Sequence, residues 1–391
     1  MTKISLRSAL CATAAAALVV AAFASPPAQA ASGTIKIGVP VPLSGSYASA
    51  GEDILDGAKL AAQHINAAGG VLGKKLEIIS EDDACDAQTA VQAAQKLIDA
   101  GVAAVAGGYC SSASLPELTP LHRAGIAFVL DASTNPKLTE LGFTNVFRTI
   151  GRDDAQGPFV ADFIANDLHA KRAAVINDNT TYAKGLADAT VAALKKDKVD
   201  VVYNNAITPG QMDYTPVLTR VASRKPDVTY YTGYFSEAGL MVKETKEVNF
   251  PGRFMGGDAT NSPVLLKTAG PAANGMLIST APLAQFLSGA KSYITDYEHE
   301  FKAPPGPYSV YEYDAVGVVA QAIKDANSDK PAAIVAALHK IKDYQGLTGT
   351  ITFNKNGDRT HAVYIVIEVK NDQFVPYARL NDKGQWVSMQ Q

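Results

Sequence analysis

The stretch "TIKIGVPVPL" at residues 34–43, followed by "EDILDGAKLAAQHINAAGG" at 52–70, decides the fold. The first is a β-rich run. The second places Ile54, Ala58, Ala61 and Ile65 at spacings of four, three and four, one apolar helix stripe that ends in glycines. The same alternation continues with "KLEIIS" (75–80), a helix "AQTAVQAAQKLIDAG" (87–101), "VAAVAGG" (102–108), a helix from Ser111, and "IAFVL" (126–130). These strands are continuous apolar runs, the pattern of strands covered on both faces, so the first unit is predicted to be a parallel α/β sheet.

After "NVFRTI" (145–150) the rhythm restarts: a helix near 155–168, "RAAVIND" (172–178), a helix over 183–197, "VDVVYNN" (199–205), a helix over 214–224, "DVTYYTGY" (227–234), a helix over 236–248, and "RFMGGD" (253–258). This predicts a second parallel α/β unit of similar size. No internal repeat, low-complexity tract or Pro-rich tether divides the two. Two such lobes suggest a cleft bridged by short hinge crossings.

The chain opens with Lys3 and Arg7, an uncharged apolar run from Ser8 to Ala24, and a small-x-small site at Ala28-Gln29-Ala30. This reads as a secretory signal peptide, residues 1–30, because the alanine-rich run is short for a spanning helix. Leu10 before Cys11 argues against lipid attachment. The formal charge is −3, becoming −5 once Lys3 and Arg7 leave with the leader. No basic patch invites nucleic acid. Removing the leader leaves only Cys85 and Cys110, and in an oxidising compartment an even pair suggests one disulfide, with two separate buried thiols as the alternative.

Ligands of open parallel sheets bind past the carboxyl ends of the strands. The polar residues expected there are Tyr47, Tyr109, Ser111, Ser112, Asp131, Ser133 and Thr134 in the first half, and Asp178, Thr181, Tyr182, Tyr234 and Asp258 in the second. Ser111 and Ser112 open a helix, where hydroxyls and free N–H groups make either an anion receiver or an ordinary N-cap. Thr134 has the same two readings, and Asp258 in "GGDATN" is either a site acid or a turn residue. As a set, an anion receiver on one lobe and a lone acid on the other suit a zwitterion.

Enzyme motifs are weak. "GGVLGKK" (69–75) misses the phosphate-loop pattern at Ala68 and Lys75, and no G-x-S-x-G, C-x-x-C or H-E-x-x-H occurs. The six histidines are scattered, so neither a metal nor another cofactor is expected. Asp82 and Asp83 beside Cys85 are explained by an exposed turn. A periplasmic hydrolase using Ser111 or Ser112 lacks a nearby histidine other than His361, and a receptor's sensing subunit is the third possibility.

Six stretches carry a resemblance: "IKIGVPVPLSGSYASAGEDILDGAKLAAQHINAAGGVLGKKLEI", "DDACDAQTAVQAAQKLI", "GGYCSSAS", "FRTIGRDDAQG", "VVYNNAITPGQMDYTPVLTRV" and "YYTGYFSEAGLMVKETK". The mature chain resembles the leucine/isoleucine/valine-binding proteins of branched-chain amino-acid ABC importers. The resemblance implies a type I periplasmic-binding-protein fold, with lobe 1 at 31–150 plus 281–358 and lobe 2 at 151–280 plus 359–391, joined by three crossings. It implies that Ser111, Ala132 and Thr134, with neighbouring Ser133, receive the ligand, that Tyr182 and Tyr234 line the second lobe, and that Asp258 meets the ammonium where related chains carry glutamate. It also implies the Cys85–Cys110 disulfide, a monomer, and a permease as partner. A pocket tyrosine of the family falls at Ala50 here, leaving room for a larger or different side chain unless Tyr47 swings in. A related chain binding an aromatic acid is the alternative ligand class.

Overall fold

The computed structural model describes residues 33–390, and the expected signal peptide at 1–30 lies outside them. The first sheet holds β1 (Thr34–Val41), β2 (Lys75–Asp82), β3 (Ala104–Gly107), β4 (Ala127–Leu130) and β5 (Val146–Arg148), in the order β2-β1-β3-β4-β5 and parallel throughout. Its crossovers are α1 (Ala48–Ala67), α2 (Ala87–Asp99) and α3 (Ser111–Arg123). Ile54, Ala58 and Ala61 of α1 are fully buried, as the stripe predicts. Asp86 starts α2 by accepting the N–H groups of Gln88 and Thr89.

The chain then passes to the second sheet. There α4 (Asp153–Asp162), β6 (Arg172–Asn177), α5 (Thr181–Lys196), β7 (Asp200–Ala206), α6 (Thr215–Ser223), β8 (Val228–Tyr231), α7 (Phe235–Glu244), β9 (Arg253–Gly256), α8 (Pro263–Ala269) and β10 (Leu277–Thr280) follow in turn. It returns through α9 (Lys291–Phe301), α10 (Ser309–Ala326), α11 (Pro331–Leu338), β11 (Tyr344–Gly346) and β12 (Gly349–Ile351), with α10 packed on α1, β3 and β4. A third passage leads to β13 (Ile365–Lys370), β14 (Gln373–Leu380) and β15 (Trp386–Ser388) in the second sheet.

The second sheet departs from the purely parallel expectation. Its order is β15-β14-β13-β10-β9-β8-β6-β7, and the last three strands join antiparallel. The β13–β14 pair is a hairpin, its strands linked by Asn371 and Asp372, both at positive φ (50° and 58°), a two-residue turn that reverses the chain. The helix expected over 155–168 divides at Phe163, where five residues of π-helix follow α4.

Cys85 and Cys110 form the expected disulfide, Cα atoms 5.4 Å apart, tying the loop after β2 to the start of α3. Asp83 beside it corrects the exposed-turn reading. Its residue is fully buried, one oxygen accepts the Cys85 N–H at 2.7 Å, and burial pushes its carboxyl up to about 7.

Candidate ligand-binding site

On the first sheet the site begins where β3 ends. Gly108, at φ 95°, makes the turn into Tyr109, and a Cβ there would stand 2.7 Å from Ser114 Oγ. Ser111 is the first residue of α3, fully buried, and its hydroxyl accepts the Asn135 N–H at 3.3 Å. The cap position belongs to Cys110, which offers no side-chain bond, so the N-cap reading of the serines is wrong. The Ala113 and Ser114 amides donate to Cys110 O at 2.9 Å, which leaves those of Ser111 and Ser112 available to a ligand.

The loop after β4 carries the remaining candidates. The Ser133 hydroxyl donates to Gly108 O at 2.9 Å and meets Ser114 Oγ at 2.8 Å, so its side chain fastens one loop to the other. Asn135, not Thr134, caps the short turn at Pro136–Thr139 by accepting the Lys137 N–H. Thr134 Oγ1 is buried without a hydrogen-bond partner, and buried Ala132 stands two residues before it. Arg148 holds this loop from beneath: its guanidinium donates to Ser133 O, Asn135 O and Thr139 Oγ1 at 3.0–3.1 Å and to Asp358 at 3.1 Å.

On the second sheet, Tyr182 lies in the first turn of α5, whose start is capped by Thr180 accepting the Ala183 N–H. The Tyr182 hydroxyl donates to Asp258 Oδ1 at 2.8 Å, and Gly257 makes this approach possible, since a Cβ there would fall 2.7 Å from that hydroxyl. The Tyr308 hydroxyl, from the residue preceding α10, donates to Asp258 Oδ2 at 3.2 Å. Asp258 thus spans the gap between the two lobes. Burial holds its carboxyl above the usual range, and the hydrogen bond from Tyr182 works against that shift. Asp153, at the start of α4, is a second buried acid pushed up to about 8 by burial, and neither of its oxygens has a partner. Asn135 Nδ2 adds a further link to the second lobe, donating to Thr181 O at 2.7 Å.

Between these polar ends lies a cluster of aromatic rings. Tyr234 packs on Tyr47 with centroids 4.7 Å apart and the rings tilted by 41°, and stands 5.3 Å from Tyr182 and 5.6 Å from Tyr109. Tyr109 in turn is 5.5 Å from Tyr308, and Phe235 is edge-on to Tyr47 at 5.7 Å. Tyr47 thus packs against Tyr234, Tyr109 and Phe235, while Ala50 borders open space beside them. The Tyr234 hydroxyl is buried and unpaired. Sequence reasoning missed Tyr308 and Phe235; the signals were the aromatic clusters "YSVYEYDAV" (308–316) and "TYYTGYF" (229–235), which read equally well as core.

The arrangement offers hydroxyls and helix amides at one end, a buried carboxylate at the other and aromatic rings between, the inventory of a closed site for a small zwitterion. It defines a bilobed α/β ligand-binding protein. The chain belongs to the periplasmic binding protein family, whose pattern matches residues 34–373. It is 36% identical over 337 residues to an amino acid binding protein of Pseudomonas aeruginosa, covering 85% of this chain and 90% of that one. It is 33% identical to Leu/Ile/Val-binding protein homolog 3 of Brucella melitensis, with 85% and 90% covered. Among solved structures, a leucine binding protein from Thermotoga maritima matches with a TM-score of 0.84 and 28% identity, over 90% of this chain and all of that one. The family settles the question of catalysis: its members are binding proteins, and this chain is one of them, not an enzyme. Ser111 Oγ is bonded to a backbone amide, and His361 is exposed on the third crossing.

Proposed function

We propose that the protein is a periplasmic substrate-binding protein that captures a branched-chain or related aliphatic L-amino acid between its lobes and hands it to an ABC permease. Lobe 1 takes residues 31–150 and 281–358, and lobe 2 takes 151–280 and 359–391. The ligand carboxylate lies against Ser111, Thr134 and the first amides of α3, and the ammonium faces Asp258. Ala132 and Ser133 contribute backbone, while Tyr47, Tyr109, Tyr182 and Tyr234 wall the side chain. The observation that carries this reading is the pairing of a buried carboxylate, held by two tyrosine hydroxyls, with an unsatisfied buried hydroxyl at Thr134 across the cleft. A buried charge is tolerated only where partners meet it, and a zwitterion supplies both.

Closure works by hinge motion about the three crossings, with the ligand favouring the closed state by touching both lobes at once. Tyr308 couples the two events, because it reaches Asp258 from the α10 side only when the lobes are together. Among the described residues no helix is long and apolar enough to cross a membrane. The periplasmic address rests on the family and on the leader. A thermal-shift panel on protein refolded to strip carried-over ligand tests the assignment. Leucine, isoleucine or valine raises the melting temperature if it is right. Stabilisation by benzoate- or cinnamate-type acids alone refutes it.

A further inference from the structure

A cavity of about 200 Å³ adjoins the aromatic cluster, and its lining comes from both lobes. Ala50, Asp53 and Tyr109 line it from the first lobe together with Tyr308, while Phe235 and Asn261 line it from the second. Its floor is buried, and its rim, at Ser49, Glu52 and Pro304, is exposed, so it runs outward from the tyrosines that surround the amino-acid site. The small side chain at Ala50 helps to keep it open.

Two features of the lining bear on what fits. Asn261 is almost fully buried, yet its Nδ2 has no hydrogen-bond partner among the described residues. A buried amide in that condition is a rare and expensive arrangement unless something else completes it. Asp53, by contrast, is fully occupied. Its two oxygens accept the N–H groups of Gly306, Tyr308 and Ser309 and the hydroxyl of Tyr297, at 2.7–3.1 Å. It has no capacity left for a ligand cation. With Glu52 and Asp56 also on the lining, an anionic substituent is repelled.

We infer that this cavity is a side-chain subsite, and that the protein accepts an amino acid whose side chain is longer than that of leucine and ends in a neutral hydrogen-bonding group, paired by the amide of Asn261. The inference rests on the amino-acid reading above and narrows it. Glutamine is the natural probe, because a carboxamide offers both a donor and an acceptor to the facing amide.

The test is calorimetric titration of the refolded mature chain with leucine and with glutamine, repeated for Asn261→Leu and Ala50→Tyr. The expected result is saturable binding of both ligands by the parent. Asn261→Leu then weakens glutamine by roughly tenfold or more while leucine stays within about threefold, the size expected for one lost hydrogen bond to a buried group. Ala50→Tyr closes the cavity and removes glutamine binding but keeps leucine, which also shows that the variant is folded. Leucine binding without glutamine binding by the parent overturns this inference alone, as does a loss shared equally by both ligands in Asn261→Leu. Failure of both ligands to bind the parent overturns the amino-acid reading, and this inference with it.

Discussion

Asp258→Asn isolates the charge that the site is built around. The carboxylate is 3% exposed, accepts hydrogen bonds from Tyr182 and Tyr308, and is the group to which the proposed function assigns the ligand ammonium. The substitution keeps the shape: the amide oxygen still accepts from Tyr182, and the amide nitrogen faces Tyr308. What is lost is the ion pair, leaving the ligand ammonium buried against a neutral group. Removing one partner of such a pair costs about 2–5 kcal/mol, so the dissociation constant for leucine rises by roughly 30- to 4,000-fold. The ligand-free protein should scarcely notice, because burial already disfavours the ionised carboxyl there, and its melting temperature moves by about 2 °C or less. Titration calorimetry with leucine, run beside thermal melts without ligand, reads both quantities. A dissociation constant within about threefold of the parent refutes the role given to Asp258.

Three further outcomes follow from the same structure. Reducing the disulfide, or Cys85→Ser with Cys110→Ser, releases a loop of 25 residues and lowers unfolding free energy by roughly 3.5 kcal/mol in urea titration; no change in midpoint contradicts the crosslink's role. Arg148→Met strips the carbonyls of Ser133 and Asn135 of their buried donor while Asp358 keeps Arg152 at 2.8 Å, costing about 1–3 kcal/mol, and a urea midpoint equal to the parent's rejects this. Asp83 binds its proton more tightly when folded, at about 7 against about 3.9 unfolded, with buried Glu117 and neighbouring Asp82 as the acids nearby. Its contribution to stability is therefore complete below about pH 4 and lost as pH rises towards 7. Asp83→Asn, which keeps the acceptor for the Cys85 N–H, leaves the urea midpoint unchanged at pH 4 and raises it at pH 8. Equal midpoints at pH 8 count against the argument.

The sequence made the first lobe legible because burial on both faces writes itself as unbroken apolar runs, and α1 carries a helix stripe that nothing else explains. Cys85 and Cys110 were readable as a pair because the expected leader implies oxidation and would leave no other thiol. Tyr182, Tyr234 and Asp258 were placed together by their positions past strand ends. Other contacts could not be read this way. Arg148 meets Asp358 across 210 residues, a pairing that no local pattern records. Tyr308 sits among tyrosines that serve as core, so its reach to Asp258 depends on how the lobes meet. Ser133 and Thr134 are neighbours of similar chemistry, yet the first is spent on Gly108 and Ser114 while the second is left unpaired, a difference set by which way each side chain leaves one loop. The antiparallel end of the second sheet lies beyond the last strand the alternation marks, where the third passage sets β13 against β10 and the Asn371-Asp372 hairpin turns the chain back into β14.

The central claim is that an amino acid lies across the cleft with its ammonium on Asp258 and its carboxylate on the Ser111 and Thr134 side. A crystal structure of the refolded protein with leucine tests it most directly. The account predicts the ligand nitrogen at about 2.8 Å from an Asp258 oxygen, and the ligand carboxylate against Ser111, Thr134 and the α3 amides. A leucine bound in the opposite sense, or outside the cleft, contradicts it.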